Sequence, residues 1–326
     1  MLNHSTRAAT ALIALAATAA LAAGCSSSGS AKSAKTSGAK TSAASTAAAA
    51  QFPVTIQTAA GAVTIAKKPT AIVSMSPTAT EMLFAIGAGS QVKAVDKNSD
   101  YPTTAPHTNL DSYQLNAEAV ANYRPDLVVV SGLPPKQAAQ LRALHMTVLD
   151  EPAATDLQGT YAQLAQLGEA TGHADGAATE ATKMKADIAS IVKDTPKPAA
   201  GTKYYYELDQ TYYSVTSATF IGKTLGLFGL TSIADAAKGA AASGGYPQLT
   251  SEFIVKANPA YVFLADTKCC KQTPATVAKR PGWSALHAVT GQRMIALDDD
   301  IASRWGPRIV DLLRTVGQAI KQHPAA

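Results

Sequence analysis

The chain has 326 residues, with 28 Lys and Arg against 23 Asp and Glu and a formal net charge of +5. Arg7, Lys32, Lys35 and Lys40 precede residue 51 and no acid does, so removing these four leaves 24 bases against 23 acids, a net of +1. That near-neutral remainder excludes a nucleic-acid partner read from charge alone, and it is long enough to bury a large core in two lobes.

Arg7 is the single base before the apolar run Ala8–Ala23, which ends in Leu21-Ala22-Ala23-Gly24-Cys25. A short basic start, a brief apolar stretch and small residues at the cut describe a secretory signal over residues 1–24. The Leu-Ala-Gly-Cys tetrad resembles the bacterial lipobox, which implies that Cys25 is acylated and becomes the mature N-terminus. An ordinary signal that happens to contain a Cys is the alternative. Residues 25–50 continue in Ser, Ala, Lys, Thr and Gly, with no aromatic residue and no acid. Such a segment buries too little to fold and reads as a tether with a reach of roughly 25–30 Å.

Val54–Gln57 and Ala62–Ala66 read as a hairpin, and Ala71–Met75 as a short apolar strand. Helix Ala79–Gly87 follows, with Thr78 able to cap it and Glu81 three residues later. Strand Gln91–Val95, loop Asp96–Thr108, helix Ala117–Tyr123, strand Leu127–Val130, helix Pro135–Leu144 and strand Thr147–Leu149 complete an N-terminal lobe over residues 51–170. Strands alternating with helices predict a parallel sheet covered on both faces. Thr155–Thr195 has helical spacing throughout and is divided by Gly172, so it reads as two helices; the second, over 171–196, joins the lobes. Pro196 and Pro198 end it.

Residues 197–326 resume the alternation as a C-terminal lobe. Its elements are strands Tyr204–Leu208 and Tyr212–Val215, helices Phe220–Phe228 and Ser251–Ala257, strands Ala260–Leu264 and Arg293–Ala296, and helix Pro307–Ile320. The halves repeat. Asn116-Ala117-Glu118 leads through Pro125 to Leu127–Val130, and Thr250-Ser251-Glu252 leads through Pro259 to Tyr261–Leu264. Macrodipole compensation at a helix start is the plain account of each Glu.

Met75-Ser76-Pro77-Thr78-Ala79-Thr80-Glu81, Asp100-Tyr101-Pro102, Pro125-Asp126-Leu127-Val128, Ser251-Glu252 and Ser303-Arg304-Trp305-Gly306-Pro307-Arg308 occur in an order that resembles the iron-siderophore and vitamin-B12 class of ABC-importer binding proteins. The resemblance implies two α/β lobes joined by one long rigid helix, with the ligand, a metal chelate (ferric siderophore, haem or corrinoid), in the cleft between them. It further implies that Glu118 and Glu252, one per lobe, dock on arginines of an ABC permease dimer. The cleft is expected between loops at the carboxyl ends of the strands, with Asn98, Tyr101, Tyr212, Tyr213, Asp300, Arg304 and Trp305 as ligand contacts. In B12-binding relatives the position of Asn98 is aromatic, a departure that argues against cobalamin. A Tyr at a strand end is more often a half-buried core residue, and an Arg beside Asp298, Asp299 and Asp300 can serve simply to fix a loop.

His4, His107, His145, His173, His287 and His323 are scattered without zinc-site spacing, so neither a resident metal nor a cofactor is expected. Adjacent Cys269 and Cys270 in an exported chain suggest a vicinal disulfide, against two reduced thiols or an intermolecular bridge. The chain is expected to act as a membrane-tethered monomer and not as an enzyme. A secreted hydrolase is disfavoured because Gly-x-Ser-x-Gly is absent and Pro77 after Ser76 has no N–H for an oxyanion hole. A structural or adhesion lipoprotein would not require the paired Glu helices.

Overall fold

The computed structural model describes residues 52–58 and 61–325. The expected leader, Cys25 and the tether lie outside the described residues.

An antiparallel hairpin opens the described chain, β1 (Val54–Thr58) against β2 (Gly61–Ile65). β3 (Ile72–Ser74), α1 (Pro77–Ala85), β4 (Val92–Val95), α2 (Ala117–Ala121), β5 (Leu127–Val130), α3 (Pro135–Ala143) and β6 (Val148–Asp150) follow. The four strands make a parallel sheet in the order β4-β3-β5-β6. All of β5 is buried, as a parallel strand covered on both faces must be. Its side chains alternate by the period of the pleat. Leu127 and Val129 face the core that holds Leu83 and Leu164, whereas Val128 and Val130 join Val120 and Leu141.

α4 (Leu157–Thr171) stops at Gly172, whose φ of 72° is left-handed and suits a residue without Cβ. α5 (Ala174–Asp194) has 21 residues, a length of about 32 Å at the α-helical rise. It packs on α4 and α1 on one side and on the last helix of the chain on the other. The approach to α1 is close: a Cβ on Gly176 would stand 2.1 Å from the carbonyl oxygen of Ile86. Met184 and Ile188 of α5 belong to one continuous apolar core that reaches Leu127 in the first sheet and Tyr204 and Phe263 in the second.

That second sheet is built from β7 (Lys203–Glu207), α6 (Phe220–Gly226), β8 (Thr231–Ser232), α7 (Ser251–Ala257) and β9 (Tyr261–Leu264). Short helices α8 (Pro274–Val277) and α9 (His287–Thr290), β10 (Met294–Ala296), α10 (Asp299–Ser303) and α11 (Ile309–Gln322) complete it. Its order is β8-β7-β9-β10, again parallel, so both sheets run second-first-third-fourth in chain order. The repeat read in the sequence is thus a repeat of topology: α2 enters β5 as α7 enters β9, each the third strand of its sheet.

Three local expectations are corrected. α1 is capped by Ser76, whose hydroxyl accepts the Ala79 N–H at 3.3 Å, with Pro77 at the first helical position, so Thr78 is inside the helix and Glu81 belongs to no capping box. Tyr212–Val215 is not a strand. Asp209 accepts the Thr211 N–H at 2.7 Å and turns the chain, Tyr212 takes a left-handed φ of 70°, and one antiparallel bridge, Tyr213 to Gln248, remains. Asp299–Ser303, expected as loop, is a helix because Asp298 accepts the N–H groups of Asp300 and Ile301.

Candidate functional site

Loops at the carboxyl ends of the N-terminal strands face the segment that leads from α10 to α11, and a cavity of about 700 Å³ lies between them. Ser76, Pro77 and Thr78 follow β3, Asn98 follows β4, and Ser131 to Pro134 follow β5. Ser112, Tyr113 and Gln137 add to that wall, and Asp300, Ser303, Arg304 and Trp305 form the opposite one. This is the position expected for a ligand in an open parallel α/β sheet.

Arg304 sets the geometry. One nitrogen, Nη1, donates to Glu81 at 2.8 Å and Asp100 at 3.2 Å; the other, Nη2, donates to the Asn98 carbonyl at 2.9 Å and Asp300 at 2.7 Å. Glu81 is 2% exposed and Arg304 9%, so the pair has little water to screen it. Arg308 adds a contact of 2.5 Å to the same Glu81 oxygen and places its guanidinium 4.2 Å from the Tyr101 ring centre. Trp305 is fixed from α4: its indole N–H donates to Gln163 at 2.9 Å, and its carbonyl accepts the Thr160 hydroxyl at 2.8 Å. The segment that carries two expected ligand contacts is therefore stitched to the opposite lobe.

The remaining expected residues divide. Asn98, Asp300, Arg304 and Trp305 line the cavity. Tyr101 lies outside it, lining a second hollow of about 460 Å³ between α1, α5 and α11. Tyr212 also lies outside, stacked on Trp283 at 6.1 Å with the Arg280 guanidinium 5.2 Å away. That arginine holds the fully buried Glu207 through two bonds of 2.6 Å. Tyr213, 41% exposed, is likewise not part of the cavity wall. Cys269 and Cys270 are free thiols with their sulfurs 2.7 Å apart. They follow Lys268, which pairs with Asp298 at 2.8 Å and Asp300 at 2.6 Å. Burial works against the charge of Asp299, but the N–H groups of Cys269 and Lys268 outweigh it and hold that carboxyl below its usual range.

Glu118 and Glu252 are exposed, each at the second position of a helix capped by Asn116 or Thr250. A crossover helix runs antiparallel to the strands it joins. Both helix starts, and both carboxylates, therefore stand at the carboxyl end of their sheets, the end that faces the cleft. Sequence reading missed Glu81, Tyr113 and Gln137 as members of the site. Glu81 carried a misleading signal as a helix-start acid, and the loop holding Tyr113 has no periodicity to read.

The periplasmic binding protein family matches residues 72–301 of this chain. The chain belongs to that family. A Bacillus subtilis protein described as an uncharacterized ABC transporter substrate-binding lipoprotein is 31% identical, over 82% of this chain and 86% of its own. A cobalamin-binding protein of Halobacterium salinarum is 28% identical, over 83% of this chain and 75% of its own. Among solved structures, a possible iron-binding periplasmic solute-binding protein of Staphylococcus epidermidis superposes with a TM-score of 0.65 at 24% identity. It covers 78% of this chain and 99% of its own, a likeness of fold. No helix among the described residues is long and apolar enough to cross a membrane.

Proposed function

We propose that this binding protein captures a metal chelate in the cleft between its lobes and delivers it to the permease of an ABC importer. The observation that carries this reading is the cavity of about 700 Å³ at the carboxyl ends of the strands, walled by both lobes. α5 braces those lobes through a shared apolar core, so capture needs only a modest movement. Acylated Cys25 and its tether hold a monomer at the outer face of the membrane, and Glu118 and Glu252 orient it on the permease. Asn98, Asp300, Arg304 and Trp305 form the part of the wall where sequence and geometry coincide. A binding role rather than a catalytic one is supported by the match to a family of binding proteins.

Uptake tests the proposal. A strain lacking the protein should take up radiolabelled iron or cobalt chelate at least about tenfold more slowly at limiting supply, and the wild-type chain should restore the rate. Unchanged uptake across ferric siderophores, haem and corrinoids would remove the importer role.

A further inference from the structure

The polar groups of the cleft fall into two sets. The charged ones are spent: Asp300 is bonded to Arg304 at 2.7 Å and Lys268 at 2.6 Å, while Arg304 also serves Glu81, Asp100 and the Asn98 carbonyl. Among the described residues no other charged side chain lines the cavity. The groups left without a partner among the described residues are uncharged, namely the carboxamides of Asn98 and Gln137 and the hydroxyls of Thr78, Tyr113 and Ser131. On and behind the wall, Glu81, Asp100, Asp298, Asp299 and Asp300 outnumber Lys268, Arg304 and Arg308, so the corner is net negative. Like charge brought into such a corner is repelled, and no free cation is available to offset it.

The wall is equally poor in metal ligands. Among the described residues it presents no His, no Cys and no unpaired carboxylate, the Met75 side chain is buried, and the Tyr113 phenol is the one strong oxygen donor a metal could take. A metal arriving here must bring nearly all of its own ligands, since one phenol cannot complete a coordination sphere.

Resting on the reading that the cleft captures a chelate, we infer that it selects one with no net negative charge and a metal already fully coordinated. The uncommitted carboxamides and hydroxyls then recognise the chelator's amides and carbonyls, to which they can both donate and accept. Two sources supply that chemistry: a neutral ferric trihydroxamate and a neutral corrinoid such as cyanocobalamin. Ferric tris-catecholates, which are trianions, and haem, which carries two carboxylates, lack it.

Equilibrium dialysis of the protein against each of these four chelates, read by the chelate's own absorbance, tests the inference. One neutral chelate should bind at least about 100-fold more tightly than the tris-catecholate and haem, and its affinity should change less than about twofold when salt is raised tenfold. Which neutral chelate binds identifies the source. Asn98→Ala with Gln137→Ala should weaken that binding at least about tenfold with the fold intact by circular dichroism, and Gln137→Lys should raise tris-catecholate affinity at least about tenfold. Tight, salt-sensitive binding of the trianion or of haem would overturn this inference and leave chelate capture standing. An unchanged affinity in the double alanine variant would overturn it too. Binding of none of the four would overturn both.

Discussion

The carboxylate of Glu81 in α1 accepts a hydrogen bond of 2.8 Å from Arg304, 223 residues further along the chain. It joins the N-terminal lobe to the segment between α10 and α11, and Arg308 shares the same oxygen at 2.5 Å. The other oxygen, Oε2, is buried without a hydrogen bond. One carboxylate thus holds two guanidinium groups, of which that of Arg304 lines the cavity. The ion pairs act as a clasp more than as a surplus of stability, because desolvating three charges offsets much of their attraction.

Removing the carboxylate should therefore be costly, since it leaves the largely buried Arg308 without an ion pair and takes one of three carboxylates from Arg304. Glu81→Gln is expected to lower unfolding free energy by about 3–5 kcal/mol, read as a shift of the urea midpoint. Arg304→Ala, which leaves Glu81 with Arg308, should cost less, about 1–3 kcal/mol. A change below about 1 kcal/mol in Glu81→Gln would show that the clasp is loose in solution.

How much of this was legible in the sequence depends on the range of the interaction. Local rules located most elements. β5 and α7 have the expected bounds, and Gly172 divides the helices where its backbone freedom is needed. The internal repeat located Glu118 and Glu252 because each cap, acid and proline lies within ten residues or so of the next. The clasp was not legible, because nothing near Glu81 signals a partner in the last turn before α11. Tyr212 misled for a related reason: an aromatic, β-prone run at 212–215 outweighed the turn chemistry of Asp209, and tertiary stacking on Trp283 decided its place.

Acidity should report on Glu151, which follows β6 and is 5% exposed with Oε1 unpartnered. Burial first, and the neighbouring Asp150 second, raise its pKa from an ordinary 4.5 to about 8. The folded chain then holds a proton that the unfolded chain releases, so this stabilising contribution is complete below 4.5 and is lost as pH rises through about 8. Glu151→Gln should be more stable than wild type on the alkaline side of that window by on the order of 1–3 kcal/mol, with a flatter pH profile. Urea midpoints at the two ends of the window decide it. Equal slopes in both proteins would place the titration elsewhere.

The two thiols after β9 invite an oxidation test. Cys269 and Cys270 are adjacent, and Cys269 is exposed. In an exported chain they are expected to close a vicinal disulfide under mild oxidant, stiffening the loop that Lys268 ties to Asp300. Intact mass before and after alkylation gives the answer. Two labels on oxidised protein without prior reduction would rule the bridge out.

Membrane attachment is expected to depend on Cys25. One acyl chain binds a membrane marginally and two or more anchor stably, and the described residues offer no spanning helix as a substitute. Cys25→Ser should move the protein from the membrane pellet to the soluble fraction. A variant that stays wholly in the pellet would dispose of the lipid anchor.

Glu118 and Glu252 yield the sharpest separation between binding and transport. Each follows a capping residue, Asn116 or Thr250, and each helix feeds the third strand of its sheet. The two carboxylates are therefore equivalent by topology, exposed, and set at the cleft end of separate lobes. A pair of like charges so placed can engage both halves of a permease dimer at once and fix the docking orientation. Exposed ion pairs contribute about 0–1 kcal/mol, but pairs desolvated across an interface can couple by several. Replacing both residues with Lys opposes the helix dipoles at a cost of about 0.3–1 kcal/mol each, too little to unfold the chain. Chelate affinity should stay within about twofold of wild type, because neither residue lines the cavity. Uptake should fall at least about 100-fold, since reversed charges would repel permease arginines. Dialysis and uptake measured on the same double variant separate the alternatives: normal uptake by a stable, charge-reversed protein would leave both residues as helix-end acids without a docking role.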